Sequence, residues 1–184
     1  GNFTTIRALL KDISPMTLRM FVLQAHYRKP LDFTNEALRA ASTGWKGLNG
    51  ALSLGEIHAN AIGWPEKVSL TKEVVKSYLN ESLHELYQRF TDVMNDDLNT
   101  SGALAVLFEL SRPLRALANR LEREDIENID ETDLKALFSR WQVLVELAGV
   151  LGLKAEGIEK PHSKKGSLLN ENEIQDAINA RKNA

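Results

Sequence analysis

Apolar residues recur three and four positions apart through most of the chain, which predicts amphipathic helices. Ser14 before Pro15 marks a helix start. The hydroxyl can cap the end, and a proline at the first helical position gives up no needed N–H. Leu18, Phe21, Val22 and Ala25 continue that helix, which is expected to stop near Arg28 because Pro30 biases the preceding residue away from helical angles. Residues 30–33 read as extended. Thr34 or Asn35 caps a third helix running toward residue 60, and its Gly44, Gly47 and Gly50 predict close packing or fraying. Gly63, Trp64 and Pro65 mark a loop. A helix is expected from Leu70 to Met94, with Leu79, Leu83, Leu86, Phe90 and Val93 on one face. After a polar break, NDDLNTSG at 95–102, Ala103, Val106, Leu110, Leu114, Leu117 and Leu121 carry the longest regular stripe, with a kink expected at Pro113. Residues 122–133 are mostly acidic and read as an exposed turn. Leu134, Leu137, Trp141, Leu144, Ala148 and Leu151 build a further helix, closed by Gly152.

Residues 154–168 form a linker rich in Lys, Gly, Ser and Pro. Asn170 with Glu173 resembles a capping box for a last helix. That helix meets no stop signal before Ala184, so it is expected to belong to a longer polypeptide. No stretch alternates with the period of a strand. The fold class is therefore all-α. A small helical subdomain is expected over residues 1–62, an antiparallel helical bundle over 63–153, and a linker with the start of a C-terminal helix over 154–184.

Composition narrows the chemistry. Of 184 residues, 43% are hydrophobic, enough for a core. The net charge of −2 gives no overall pull toward nucleic acid or membrane. There is no cysteine, which excludes disulfides, thiolate metal sites and thiol nucleophiles, and fits a reducing compartment. No apolar run is long enough to cross a bilayer. His26, His58, His84 and His162 lie far apart and read as surface or packing residues, not metal ligands. No G-x-S-x-G, phosphate-binding loop or H-E-x-x-H occurs. Asp97, Asn99, Ser101 and Gly102 imitate the first half of a calcium loop. However, its twelfth position is Phe108, where a bidentate glutamate is needed. Asn99 or Thr100 is better read as a helix cap, with Asp96 and Asp97 near the positive helix end.

The N-terminal part differs from the whole. Residues 1–39 carry six cations, Arg7, Lys11, Arg19, Arg28, Lys29 and Arg39, against three anions, Asp12, Asp32 and Glu36. With Tyr27 and His26 beside them, such cations suit a phosphate backbone.

Five stretches carry a resemblance to a family. GNFTTIRALL at the start is similar to the segment directly after the lysine-rich KMSKS loop of cysteine–tRNA ligases, which are class I aminoacyl-tRNA synthetases. Residues 14–38, SPMTLRMFVLQAHYRKPLDFTNEAL, resemble that family's pattern P-x-x-L-R-x-x-x-L-x-x-H-Y-R-x-P-L-x-F. MNDDLNTSGALAVLFEL at 94–110 resembles the head of the family's helical bundle, and LAGVLGL at 147–153 its close. The last residues resemble the helix leading to a C-terminal anticodon module.

The resemblance implies a stem-contact helical subdomain followed by a bundle of the DALR anticodon-binding type, together docking tRNA(Cys). The parent would join cysteine to that tRNA with ATP through an adenylate, as a cytoplasmic monomer. Its HIGH signature and zinc ligands would lie in a catalytic domain preceding Gly1. ATP, magnesium and zinc are expected there, and no cofactor or metal in this stretch. The resemblance gives His26, Tyr27, Arg28 and Lys29 one of two purposes, locking a junction or touching tRNA phosphates. His26 and Tyr27 are expected to be structural, satisfying free carbonyls at the helix end. Arg28 and Lys29 are expected on RNA, with Arg7, Arg19 and Arg39 as further candidates. Gly1 and Asn2 are expected to support the lysine loop. Two rival readings remain: part of a cysteine:amino-sugar ligase paralogue, and a free-standing helical module that binds protein partners.

Overall fold

The computed structural model describes residues 5–65, 80–123 and 129–157. Within them the order is α1 (Ile6–Leu9), α2 (Pro15–Leu23), α3 (Asn35–Leu52), α4 (Leu54–Ile57), a 3-10 turn (Ala59–Ile62), α5 (Glu81–Asn95), α6 (Thr100–Glu122) and α7 (Glu131–Val150). No strand occurs among the described residues, as the 3.6-residue periodicity requires.

Each long helix starts at a side-chain cap. Ser14 accepts from the Thr17 N–H, Thr34 from Ala37, Asn80 from Leu83, Asn99 from Gly102 and Asp130 from Thr132. The cap at Asn80 corrects the expected helix start at Leu70: Asn80 is extended at ψ 172, so α5 begins at Glu81. Residues 70–79 of the expected helix lie outside the described residues, as do the last helix and His162. Helix α3 also ends earlier than expected, at Leu52. Ser53 caps it, and α4 with the 3-10 turn takes up the remaining residues to Ile62. Gly55 explains this irregular stretch. A Cβ there would overlap the six-membered ring of Trp141, whose Nε1–H donates to the Leu52 carbonyl at 2.9 Å.

Helix α6 is the central element, packing against α3, α5 and α7. Its Leu107, Leu110 and Leu114 are fully buried, and it continues through Pro113 to Glu122. Helix α3 supplies Leu38, Ala41, Trp45, Leu48 and Leu52 to the same core, which extends from Met20 to Leu153 without interruption. One of the three glycines in α3 is explained by that packing. A side chain at Gly47 would press on Arg115, so this glycine lets α6 come close, whereas one at Gly44 would stand in ordinary contact with Phe108 at 3.4 Å. Gly152 closes α7 at φ +67 with the Leu153 N–H returning to the Ala148 carbonyl, as the sequence predicts.

The start of the expected linker is held in place. The Asn49 side chain donates to the Glu156 carbonyl at 3.0 Å and accepts from its N–H at 2.8 Å, while the Trp45 Nε1–H donates to the Glu156 carboxylate at 2.8 Å. Residues 152–157 therefore strap the end of the bundle onto α3.

Candidate functional site

The sequence motifs at 25–33 and 94–102 meet in space. Helix α2 stops at Leu23, five residues before the expected end, because the chain must turn there to reach the corner between α5 and α6. The turn is closed by the Lys29 N–H on the His26 carbonyl at 2.8 Å. It presents three side chains in a stack. His26 lies on Tyr27 with ring centroids 5.0 Å apart and nearly parallel, and the Arg28 guanidinium lies 5.4 Å from the Tyr27 centroid.

All three converge on Asp97. The Tyr27 hydroxyl donates to Oδ1 at 2.6 Å. Arg28 grips the carboxylate with two nitrogens, Nη2 on Oδ1 at 3.1 Å and Nε 3.0 Å from Oδ2. The same Nε–H also reaches the Tyr27 oxygen at 2.9 Å, so that hydroxyl both donates and accepts. His26 Nε2 stands 3.7 Å from Oδ2.

The corner is shaped to offer this carboxylate. Asp97 and Leu98 adopt φ of 53° and 52°, left-handed angles that non-glycine residues rarely take. They let the Leu98 and Asn99 N–H groups fold back on the Met94 and Val93 carbonyls at the end of α5. Asn99 then caps α6, as expected, with Oδ1 accepting from the Gly102 N–H at 2.9 Å. Asp97, two residues before that cap, turns its carboxylate toward the 26–28 turn. Thr100 adds a second tie, its hydroxyl donating to the Leu23 carbonyl at 2.9 Å. That bond satisfies a free carbonyl at the end of α2, a task the sequence reading assigned to His26 and Tyr27.

The other expected RNA contacts are scattered. Lys29, Arg7 and Arg39 are exposed, with no side-chain partner among the described residues. Arg19 is exposed too, but its guanidinium lies over Gly152 at the end of α7, where a Cβ would collide with it. Arg28 is two-thirds exposed yet committed to Asp97, so it stands with His26 and Tyr27 at the junction and not with the free cations. Gly1 and Asn2 lie outside the described residues. Asp97 and Thr100 are the partners that the sequence reading missed. Their signal was present in NDDLNT, but only as an acidic, cap-forming break with no indication of what it faces. No cluster of metal-ligating side chains occurs among the described residues, and no helix among them is long and apolar enough to cross a membrane.

In comparison with known proteins, the two ends of the junction match different family models. Residues 1–43 match the family model of the class I (C) tRNA synthetase catalytic domain, and residues 89–156 match the DALR domain. The turn with His26, Tyr27 and Arg28 falls in the first match and Asp97 in the second. The chain is 60% identical to a cysteine–tRNA ligase of Prochlorococcus marinus (strain MIT 9303) over 100% of its own length and 38% of the relative. It is 57% identical to one of Synechococcus sp. (strain CC9902), covering 98% of itself and 37% of the relative. Against one of Synechococcus elongatus (strain ATCC 33912 / PCC 7942 / FACHB-805) the figures are 46%, 98% and 34%. The chain thus spans just over a third of the length of these relatives.

Proposed function

We propose, from a chain homologous along its whole length to part of the cysteine–tRNA ligases, that it serves as the tRNA-docking portion of such an enzyme. The parent activity is attachment of cysteine to tRNA(Cys) using ATP through an aminoacyl-adenylate, carried out in the cytoplasm by a monomer. ATP, magnesium and zinc belong to the catalytic portion and are used there. Residues 1–62 act as the stem-contact subdomain and 63–153 as the anticodon-binding bundle. Within this reading His26, Tyr27 and Arg28 hold the junction. Lys29, Arg7 and Arg39 are left free to meet tRNA phosphates, with Arg19 at the edge of the bundle.

The observation that carries the reading is the grip of the 26–28 turn on Asp97. It ties a segment matching a catalytic-domain model to a bundle matching a DALR domain. A docking frame needs this property, because the bundle must hold tRNA at a set angle for its acceptor end to reach a distant active site. Correct placement of two reactants contributes several kcal/mol to a transfer step.

Arg28→Gln and Asp97→Asn in the intact enzyme test the reading. Adenylate formation, measured by ATP–pyrophosphate exchange, should stay near the wild-type rate. Transfer to tRNA(Cys) should fall by about tenfold in kcat/KM, roughly 1.4 kcal/mol of lost positioning. Equal losses in both assays, or none in either, would reject it.

A further inference from the structure

Two cations not considered so far, Lys46 and Arg115, join Arg39 in a second cationic surface on α3 and α6. Arg39 and Lys46 lie seven residues apart, two turns and roughly 10 Å along one face of α3. Arg115 faces them from α6. Its guanidinium lies flat over the backbone of Gly47, so that a Cβ there would stand 3.0–3.2 Å from Cζ, Nε and Nη2. None of the three has a carboxylate partner among the described residues. Lys46 and Arg115 line an open groove of about 450 Å³, with Thr43, Asn49 and Asn119 as its neutral polar groups and Glu122 as its carboxylate. Gly50 lies on the same groove, and a Cβ added there would meet nothing within 4 Å. Packing therefore explains Gly47 but not Gly50, even though a glycine inside a helix is unfavourable.

We infer that this α3–α6 groove binds the phosphate backbone of RNA, with Lys46 and Arg115 as its principal contacts and Arg39 extending it. The inference rests on the docking function proposed above and names a surface for it. Two unpaired cations in a concave groove, with a third further along α3, match a linear polyanion better than a single carboxylate, and the Asn119 amide on the groove can donate to sugar and phosphate oxygens. A wall without side chains at Gly50 lets a backbone come close. The groove also bridges the same two portions that Asp97 joins, so one RNA strand lying in it would touch both.

The test is the Kd of the 184-residue chain for a tRNA(Cys) transcript, by fluorescence anisotropy across about 50 to 200 mM salt. Replacing Lys46 and Arg115 together (K46Q/R115Q) should weaken binding by about tenfold. It should also flatten the log–log salt slope by about 1.5 to 2, the change expected for two phosphate contacts. Gly50→Leu places a side chain in open space and should weaken binding severalfold, while circular dichroism stays put and the urea midpoint holds or rises, since leucine favours a helix over glycine. That variant keeps the test decisive if the double variant misfolds. Binding within twofold of wild type for Gly50→Leu and for every folded groove variant overturns the groove. If Lys29→Gln or Arg7→Gln weakens binding under the same conditions, the docking function stands without the groove. Absence of tRNA binding by the unaltered chain removes both.

Discussion

Replacing Asp97 by asparagine deletes one charge and leaves the backbone undisturbed, because asparagine tolerates the left-handed φ of 53° that residue 97 adopts. Asp97 accepts from the Tyr27 hydroxyl and from Arg28 Nη2, with Arg28 Nε 3.0 Å from its other oxygen as an ion pair. Fully desolvated, each charge-assisted bond would contribute about 1.5–3 kcal/mol. These are not desolvated: the Arg28 and Asp97 side chains are 67% and 43% exposed. Solvent screening therefore places the ion pair near about 0.5–1 kcal/mol, and asparagine keeps an oxygen that can accept from the Tyr27 hydroxyl. Asp97→Asn should cost about 0.5–1 kcal/mol in all. With a urea slope of roughly 2 kcal/mol/M, that moves the midpoint by about 0.25–0.5 M. A double-mutant cycle with Arg28→Gln isolates the pair and should return a coupling of about 0.5–1 kcal/mol. Because the pair is exposed, the coupling should fade in about 1 M salt, where the Debye length is about 3 Å. Asp97→Ala should lose about a further 1–2 kcal/mol, since alanine must also bear the left-handed backbone. A wild-type midpoint for Asp97→Asn, or a coupling indifferent to salt, would refute the reasoning.

Three other outcomes follow from the core and the caps. Gly55→Ala should destabilise the chain by about 1–3 kcal/mol in urea, because the new methyl must displace the Trp141 ring from its bond to Leu52; an unchanged midpoint would mean that the ring moves freely. Gln142 is fully buried with neither its oxygen nor its nitrogen paired among the described residues, so Gln142→Met should raise the melting temperature by the equivalent of about 1 kcal/mol or more, and a fall would reveal a partner. The Asp130 carboxyl is held below its ordinary value of 3.8, first by the Thr132 N–H it caps and then by the Thr132 hydroxyl. A lowered pKa stabilises the fold above 3.8 and loses that contribution as pH falls through the folded value. The stability gap between wild type and Asp130→Ala, taken from urea curves, should therefore be flat above that pH and close below it.

Local features of the fold were legible because their causes are local. Ser14, Thr34 and Asn99 sit one residue before the helices that they cap, and Gly152 ends α7 through its own positive φ. Periodicity also gave the buried face of α6, since a helix displays its own stripe wherever its partner lies. What the sequence could not display was pairing at a distance. The turn at 26–28 was recognisable as a cluster of donors, but its acceptor lies about 70 residues away, in a motif whose own pattern explains only a cap. The same limit applies to α2. Pro30 sets an outer bound for the helix, whereas the actual end at Leu23 follows from the Thr100 hydroxyl on its carbonyl. Glu156 read as linker because composition does not show that Asn49 would use its backbone N–H and carbonyl as a strand would. The contact between Arg28 and Asp97 is hidden in the sequence for a related reason. A guanidinium fits carboxylate and phosphate equally, and only its neighbours decide.

The two kinds of contact between the N-terminal helices and the bundle divide stability from orientation. Trp45, Leu48 and Leu52 of α3 and Leu107, Leu110 and Leu114 of α6 belong to one buried cluster, and truncating any of these leucines to alanine would cost about 2–5 kcal/mol. Side chains in such a cluster hold two elements together firmly, but apolar contacts are non-directional and leave small rotations inexpensive. The Asp97 junction is the converse. It contributes little energy because water competes for it, yet a carboxylate held by both a guanidinium and a donating tyrosine accepts a narrow range of angles. Damage to the core should therefore appear first as unfolding. Damage to Asp97 or Arg28 should appear as misplacement in a chain that is still folded, with a loss in transfer to tRNA that exceeds its small shift of the unfolding midpoint.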